Sequence, residues 1–309
     1  MRREVCRGHV HVVGDRRWWW AEARQRYVRL HTSGIGLADR GTAQQRGWRY
    51  RGITRQPNKE LKLTELYDDP DLYDALLPAS AAQLNYYLSL ARHRAGGVLA
   101  LACGSGQLIV PIASTGVPAT GLDQSSKMLL VASRRAAASG TRVEFVEGDM
   151  REFDLGRRFS LIFVARNSLL HLSEQDEFAA FFSSVRRHLK PDGILAFDIF
   201  NPNLRLLSRP SGERFHVMRA ISPAHGEVTV EATIDYDRHS QVNQATWFIS
   251  TAEQRDAWVV PLHLRSIFPQ ELLALLAANG VDLLRRDGDF VGGSFTSTSA
   301  SQVCQCRLA

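Results

Sequence analysis

The stretch Val98-Leu-Ala-Leu-Ala-Cys-Gly-Ser-Gly106 decides the fold, because it joins a short apolar run directly to a glycine turn. Its first five residues have the length and composition of a buried strand. Gly104 and Gly106 let the backbone turn sharply and approach a ligand without interference from a Cβ atom. A helix-like segment over residues 107–116 follows, and a second apolar run ends at Asp123.

The order strand, glycine turn, helix, strand and acid is typical of a nucleotide site at the carboxyl edge of a parallel sheet. Dinucleotide sites require a small third residue in the pattern G-x-G-x-x-G/A, because it lets the helix pack close to the strand. Ile109 occupies that position, which disfavours a nicotinamide dinucleotide. The acid, Asp123, is placed to hold both hydroxyls of a ribose. A glycine turn without any ligand is the alternative interpretation.

Beyond this stretch, strands and helices alternate. Apolar runs over residues 143–146, 159–165 and 194–200 predict the third, fourth and fifth strands, and Lys190-Pro-Asp-Gly193 predicts a turn before the fifth. The fourth run is almost continuously apolar, as in a central strand. This alternation predicts an α/β fold with a Rossmann-like, doubly wound parallel sheet.

A different pattern follows the fifth strand. Apolar residues alternate with polar ones through much of residues 201–268, which predicts an antiparallel β insertion. Pro261 falls in its last run, so that run is expected to be an edge strand or bulged. Two short runs, Val281 to Arg285 and Gln302 to Leu308, are expected to complete the main sheet.

Composition divides the 309-residue chain into two segments. Residues 1–60 contain 14 Lys and Arg against 5 Asp and Glu, a charge of +9, and carry four of the six tryptophans. The remaining chain, with 24 basic and 27 acidic residues, has a charge of −3. We expect residues 1–60 to be a disordered extension or upstream sequence translated from an early start codon. A nucleic-acid-binding arm is the alternative, since Arg and Trp contact phosphates and bases.

Residues 61–309 are therefore expected to form the working domain, in a reducing cytoplasm. The four cysteines are Cys6, Cys103, Cys304 and Cys306, and none has the C-x-x-C spacing of a zinc or redox site.

No window approaches the roughly 18 apolar residues that span a bilayer, so we expect no membrane association.

Candidate ligand-binding residues follow three consecutive predicted strands. Asp123 ends the second strand, and Asp149-Met150 ends the third, where an acid and a thioether suit an adenine ring. Met128 lies in the helix after Asp123, and residues 166–168 follow the fourth strand. Taken singly, each acid fits a helix or turn cap and Met128 fits the core. Their agreement at consecutive strand ends favours a ligand site.

From about Leu61 onward the chain resembles the class I S-adenosylmethionine-dependent methyltransferases. More narrowly, it resembles their small-molecule group with an antiparallel insertion, similar to sugar N,N-dimethyltransferases. The motifs that carry the resemblance are Ala102-Cys-Gly-Ser-Gly106, Gly121-Leu-Asp123, Gly148-Asp-Met150, Asn167-Ser-Leu-Leu-His-Leu172 and Lys190-Pro-Asp-Gly193.

This resemblance implies a seven-stranded sheet whose last strand is antiparallel, S-adenosylmethionine as cofactor and no metal. It implies that Tyr67 or Tyr73 closes over the cofactor. One departure is Ala100, where the family usually has an acid that helps to hold the methionine amino end. The residues expected to hold the cofactor are Tyr73, Ala102, Gly104, Gly106, Asp123, Gln124, Met128, Asp149, Met150, Arg166 and Asn167.

Methyl transfer is an in-line displacement in which the protein aligns the reactants and excludes water. An amine or hydroxyl acceptor must also lose a proton, and His171 is the candidate base because histidine titrates near neutrality. A histidine that only supports its loop is the alternative. Arg166, His263 and Arg265 are either ligands for an acidic group of the substrate or solvated surface residues.

Three functions are compatible with these patterns. The first is methyl transfer to nitrogen or oxygen of a small-molecule acceptor, with the insertion as a lid and a possible homodimer. The second is a nucleic-acid binder or methyltransferase that uses the basic arm. It is disfavoured because Asn201-Pro-Asn203 follows the fifth strand, whereas enzymes that methylate base amino groups carry such a motif after the fourth. The third, suggested by Ala100, is a non-catalytic cofactor-binding protein.

Overall fold

The computed structural model of the protein describes residues 65–92, 94 and 96–309, so the segment 1–60 lies outside the described residues. Strands form two separate sheets, one of seven strands and one of four. The strands are β1 Val98–Leu101, β2 Ala119–Asp123, β3 Glu144–Glu147, β4 Phe159–Val164, β5 Leu189–Phe200, β6 Phe215–Ser222, β7 Gly226–Asp237, β8 Val242–Thr251, β9 Trp258–Arg265, β10 Val281–Asp287 and β11 Ser301–Leu308.

Helices connect the strands of the large sheet. The longest, α5, has 14 residues, and none of the described helices is both long and apolar enough to cross a membrane. The 3₁₀ helices of the described residues are Leu66–Asp68, before α1, and Ser168–His171, after β4. The α-helices are α1 Pro70–Leu76, α2 Ala81–Arg92, α3 Ile109–Ala113, α4 Ser126–Ala138, α5 Gln175–His188, α6 Leu204–Leu207 and α7 Pro269–Ala278.

The large sheet has the strand order β10-β11-β5-β4-β1-β2-β3. Strands β1 to β5 are parallel to one another, and β11 is antiparallel to both β5 and β10. The predicted doubly wound sheet with an antiparallel last strand is confirmed, and β4 is central as expected. Leu101 pairs with both Leu122 and Val164, so β1, β2 and β4 end at the same edge.

Apolar side chains cover both faces of this sheet. Every residue of β1 and β4 is buried, as expected for parallel strands between two helical layers. Phe181 and Phe182 of α5 pack on one face, and Tyr87 of α2 packs on the other. Burying one such aromatic side chain contributes about 1.5–3 kcal/mol, so these contacts fix the helices against the strands.

The insertion forms the second sheet, in which β6, β7, β8 and β9 pair antiparallel in chain order. Pro261 lies on β9, an edge strand, as its missing amide hydrogen predicts. One face of the insertion, including Trp247 and Leu262, belongs to the same buried cluster as Tyr73 and Met128. The insertion therefore covers the carboxyl edge of the large sheet near the glycine turn.

Two local predictions were wrong. The helix after the glycine turn is Ile109–Ala113, shorter than the expected segment 107–116. The expected turn at residues 190–193 is a bulge inside β5, since Phe159 pairs with Leu189 while Leu161 pairs with Ile194.

Candidate cofactor and acceptor site

The glycine turn after β1 is a strained segment. Ala102, Gly104 and Gly106 have φ angles of 50°, 55° and 78°, in the left-handed region. That conformation is unusual for alanine, and such strain often occurs at ligand sites. A Cβ atom at Gly106 would lie 3.1 Å from the Cβ of Ala132 on α4. Gly106 therefore allows α4 to approach the turn, while Ala102 and Gly104 face the candidate site.

Asp123, at the end of β2, holds this turn in place. One carboxylate oxygen accepts a hydrogen bond from the Gly104 amide at 2.8 Å, and the other accepts one from the Ser125 amide at 2.9 Å. Ser125 in turn caps α4, since its hydroxyl accepts from the Met128 amide. Asp123 therefore joins the end of β2 both to the glycine turn and to the start of α4.

At the end of β3, Asp149 is paired with Arg151. The guanidinium of Arg151 contacts Asp149 at 2.6 Å and Glu177 on α5 at 2.7 Å. Burial alone would raise the pKa of Asp149, but hydrogen bonds from Arg151 and from Gln124 hold that pKa below its ordinary value. The strand end therefore presents an ionised acid, with the exposed Gln124 beside it.

The two candidate methionines lie in different surroundings. Met128 is fully buried, and its Cε lies 3.7 Å from the position that a Cβ of Gly104 would occupy. Met150 is buried in the main core together with Leu122 and Phe153. Met128 thus borders the glycine turn, whereas Met150 packs largely against the sheet.

The segment after β4 is the second strained turn. Arg166 and Asn167 have φ angles of 62° and 63°. The Arg166 amide donates to both carboxylate oxygens of Asp198 at 2.9 Å, and the Asn167 amide donates to the Asp198 carbonyl at 3.1 Å. Burial raises the pKa of Asp198, although hydrogen bonds from Tyr87 and Arg166 oppose that rise.

Tyr73 of α1 covers the space between the two turns. The Arg166 guanidinium lies 5.3 Å from the centre of the Tyr73 ring and donates to the Leu77 carbonyl. Under them is a cavity of about 20 Å³ whose lining includes Ala102 and Gly104. That volume holds about one water molecule. Four predicted residues therefore meet around one small, covered cavity.

Helix α1 is anchored at both ends. At its start, Asp69 lies 2.9 Å from the Nε2 atom of His225, in the turn between β6 and β7 of the insertion. Near its end, the Asp74 carboxylate accepts three hydrogen bonds from the glycine-turn region. The donors are Ser105 Oγ at 2.5 Å, Gln107 Nε2 at 2.6 Å and Arg135 Nη2 at 2.5 Å. Helix α1 thus links the insertion to the turn.

Sequence reasoning missed Asp74 and Asp198. Asp74 lies 31 residues before Ser105, and Asp198 lies 32 residues after Arg166. No local motif joins either acid to its partners. The position of Asp198 at the end of the fifth predicted strand was the one usable signal, since such ends share an edge with the other strands.

His171 ends the 3₁₀ helix after β4, where it is partly buried and lies alongside β9. Arg265 of β9 holds this segment, donating to the Ser173 carbonyl at 2.9 Å and to Glu271 at 2.6 Å. Arg265 is thus engaged within the protein. His263 is half-buried on β9, and its burial lowers its pKa. In the part of the chain that the structure describes, no group of His, Cys, Asp or Glu is arranged to hold a metal.

Comparison with known proteins identifies the domain. The methyltransferase domain family matches residues 98–193, from β1 into β5. The cypemycin N-terminal methyltransferase of Streptomyces sp. is 25% identical over 75% of this chain and 91% of that protein. A dTDP-3-amino-3,6-dideoxy-alpha-D-glucopyranose N,N-dimethyltransferase of Streptomyces fradiae is 34% identical over 34% of this chain and 40% of that protein. The chain spans about half the length of relatives from Geobacillus sp. and Bacillus subtilis, covering 50% and 52% of them.

Solved structures agree with this assignment. The CcbJ methyltransferase from Streptomyces caelestis superposes with a TM-score of 0.63 at 26% identity, over 74% of this chain and 88% of that chain. Residues 98–193 are therefore similar to a methyltransferase domain, and the chain around them has the fold of a solved methyltransferase.

Proposed function

We propose that this protein transfers a methyl group from S-adenosylmethionine to a nitrogen atom of a small-molecule acceptor, with oxygen as the alternative. One observation carries the proposal. Two left-handed turns, after β1 and after β4, face the same covered cavity at the edge where Asp123 ends β2. This edge combines a close backbone approach with an acid, as a nucleoside cofactor requires.

The residues at this edge fit the parts of the cofactor. Asp123, an acid at the end of β2, is the residue proposed to accept hydrogen bonds from the ribose hydroxyls. Met128 on α4 and Asp149, which follows the neighbouring strand β3, suit the adenine ring and its amino group. The segment from Ala102 to Gly104, with Arg166 opposite, borders the cavity and suits the amino-acid end. When bound, S-adenosylmethionine supplies an electrophilic methyl group on a sulfonium.

Binding requires α1 to move or its side chains to rotate. The cavity of about 20 Å³ is far smaller than a nucleoside, and Tyr73 and Arg166 cover it. Opening would separate Asp74 from its three donors, and closing would restore these bonds over the cofactor. Helix α1 would then exclude water from the transfer, which methyl transfer benefits from.

His171 is proposed as the base that removes the acceptor proton. It follows β4 at the same edge and lies against β9 of the insertion. An acceptor between the 3₁₀ helix and the insertion would bring its nitrogen near both His171 and the cofactor site. The names of two relatives, the cypemycin N-terminal methyltransferase and an amino-sugar N,N-dimethyltransferase, support an amine as acceptor.

Turnover tests this proposal. The full chain is incubated with S-adenosylmethionine and a panel of amines, hydroxyl compounds and nucleic acids, and release of S-adenosylhomocysteine is measured. We expect release that depends on an amine. Cofactor binding without turnover on any compound would favour a non-catalytic binder, and turnover only on nucleic acid would favour the basic-arm alternative.

Two histidine variants then test the base. We expect His171→Gln to lower kcat at least about tenfold, since general bases contribute roughly 10²–10⁴-fold. Cofactor affinity should stay unchanged. His239→Gln, in the exposed turn between β7 and β8, should behave as the unaltered protein. Equal kcat values for both variants would rule out His171 as the base.

A further inference from the structure

A buried acid that the proposed mechanism does not use lies behind the second strained turn. Asp198, on β5, is 3% exposed. Its carboxylate accepts from the Tyr87 hydroxyl at 2.6 Å and from the Arg166 amide at 2.9 Å. Asp198 and Asp287 are the acids that are buried among the described residues, and Asp287 lies on β10 at the far edge of the sheet.

Residue 198 holds both amide groups of this turn. The Asp198 carboxylate accepts a hydrogen bond from the Arg166 amide. The backbone carbonyl of Asp198 accepts one from the Asn167 amide at 3.1 Å. Neither Arg166 nor Asn167 is a glycine, yet both adopt the left-handed conformation. A non-glycine residue keeps this conformation only where surrounding contacts impose it. The contacts with Asp198 are such a constraint.

The orientation of these peptides has a consequence for the cavity. In a trans peptide the N–H and C=O groups point in opposite directions. The Ala165 carbonyl accepts a hydrogen bond from the Ser168 amide at 3.2 Å within the turn. Because the Asn167 N–H points toward β5, the Arg166 carbonyl points away from β5, toward the side of β4 on which β1 lies. Ala165 and Arg166 line the cavity together with Ala102 at the end of β1. The Arg166 carbonyl oxygen, directed there, is an acceptor for an ammonium group.

We propose that Asp198 is a positioning residue for the amino-acid end of the cofactor, because it holds the 166–167 turn in the conformation that directs the Arg166 carbonyl toward the cavity. The inference rests on the proposed function, since it takes S-adenosylmethionine as the ligand. Asp198 lies behind the turn and acts through it.

Tyr87 provides a matched control. Its ring stacks on Phe163 of β4 at 4.7 Å, and its hydroxyl is held by the same carboxylate as the turn. Tyr87→Phe removes one buried hydrogen bond of Asp198 but leaves both bonds to the Arg166 amide. It therefore perturbs the acid without releasing the turn.

The test compares two ligands that differ only at the amino-acid end. S-adenosylhomocysteine carries the ammonium group, and 5′-methylthioadenosine lacks the whole amino-acid portion. Calorimetric titration of the full chain gives both dissociation constants for the unaltered protein, Asp198→Ala, Asp198→Asn and Tyr87→Phe. Thermal melting of each variant establishes that it is folded.

We expect Asp198→Ala to weaken S-adenosylhomocysteine at least about tenfold and Asp198→Asn at least about threefold, with 5′-methylthioadenosine changed by less than about twofold. If the alanine variant does not fold, the asparagine variant carries the test. Tyr87→Phe should leave both affinities within about twofold of the unaltered protein.

Equal losses for both ligands would overturn the proposal, because they would indicate general damage to the fold. Unchanged affinities in a folded Asp198→Ala variant would also overturn it, as would the same selective loss in Tyr87→Phe. Failure of the unaltered protein to bind either ligand would instead contradict the proposed function.

Discussion

The Asp123 carboxylate and the Gly104 amide are joined by a hydrogen bond of 2.8 Å, which ties the end of β2 to the glycine turn after β1. The second oxygen of Asp123 binds the Ser125 amide at the start of α4. The Asp123 side chain thus fixes the turn, accepts a hydrogen bond at the start of α4 and lies at the candidate site. With Asp123 as the proposed ribose ligand, we expect stability and cofactor binding to be coupled at this residue.

The first prediction follows from this coupling. Asp123→Ala should weaken cofactor binding at least about tenfold, or about 1.4 kcal/mol. It should also lower the free energy of unfolding by about 1–3 kcal/mol, because two amide groups lose their acceptor. Calorimetry and urea unfolding measure the two effects. Asp282→Ala, an exposed acid paired with Arg307 at 3.2 Å, is the control and should change neither by much. Unchanged affinity in Asp123→Ala would mean that the ribose is held elsewhere.

The second prediction separates strain from packing in the glycine turn. Gly106 and Gly116 have similar φ angles of 78° and 88°, but a Cβ would meet Ala132 at 3.1 Å only in the first case, while Gly116 has nothing within 4 Å. Gly116→Ala should cost about 1–2 kcal/mol for the left-handed conformation alone. Gly106→Ala should cost about 1–3 kcal/mol more, because it overpacks the contact with α4. Equal losses of unfolding free energy in the two variants, measured with urea, would contradict this prediction. They would show that the contact with Ala132 relaxes at little cost.

The third prediction concerns pH. Burial raises the pKa of Asp149 and of Glu177, but hydrogen bonds, those of Arg151 among them, lower both pKa values overall, from ordinary values of 3.8 and 4.5. Lowered acid pKa values stabilise the fold above the unfolded values, and this stability is lost as the pH falls below about 4.5. Arg151→Met should therefore be less stable than the unaltered protein at about pH 7, and the difference should shrink below about pH 4.5.

Thermal melting from neutral to acidic pH measures this difference. Arg307→Met, which breaks the exposed pair with Asp282, is the control and should shift the melting temperature little at any pH. A stability difference for Arg151→Met that grows on acidification would contradict the expected direction.

The fourth prediction uses the cysteines. Burial raises the pKa of Cys306 to about 12 and that of Cys304 well above its ordinary value, while Cys103 in the glycine turn is partly exposed. Because the thiolate is the reactive form, iodoacetamide should alkylate Cys103 much faster than Cys304 or Cys306 in the folded protein. S-adenosylhomocysteine should slow the reaction at Cys103. Peptide mapping by mass spectrometry reads each site, and equal labelling of all three would refute the burial pattern.

Local patterns predicted most of the fold. A glycine turn between two apolar runs identified β1 and β2, and the change to period two identified the insertion, because both signals lie within a few residues. The bulge in β5 was mistaken for a turn because Lys190-Pro-Asp-Gly193 has turn composition. Residues 190–193 stay in the sheet because Leu189, just before them, pairs with Phe159 of β4. This pairing joins residues 30 positions apart, so local composition does not reveal it.

The candidate site was only partly predictable for the same reason. Residues at strand ends, such as Asp123 and Arg166, follow from the topology of a parallel sheet. The network of Asp74 and the support from Asp198 depend on contacts between segments about 30 residues apart. The pairing of Asp149 with Arg151 was within reach of the sequence, since the two residues are close neighbours, but an acid at a strand end suggested a ligand first.

The most direct test of the central claim is calorimetric titration of the full chain with S-adenosylhomocysteine. We expect saturable binding of one molecule per chain. Heat that never saturates, with no protection of Cys103 from alkylation at the same ligand concentrations, would contradict a cofactor site at the edge formed by β1, β2 and β4.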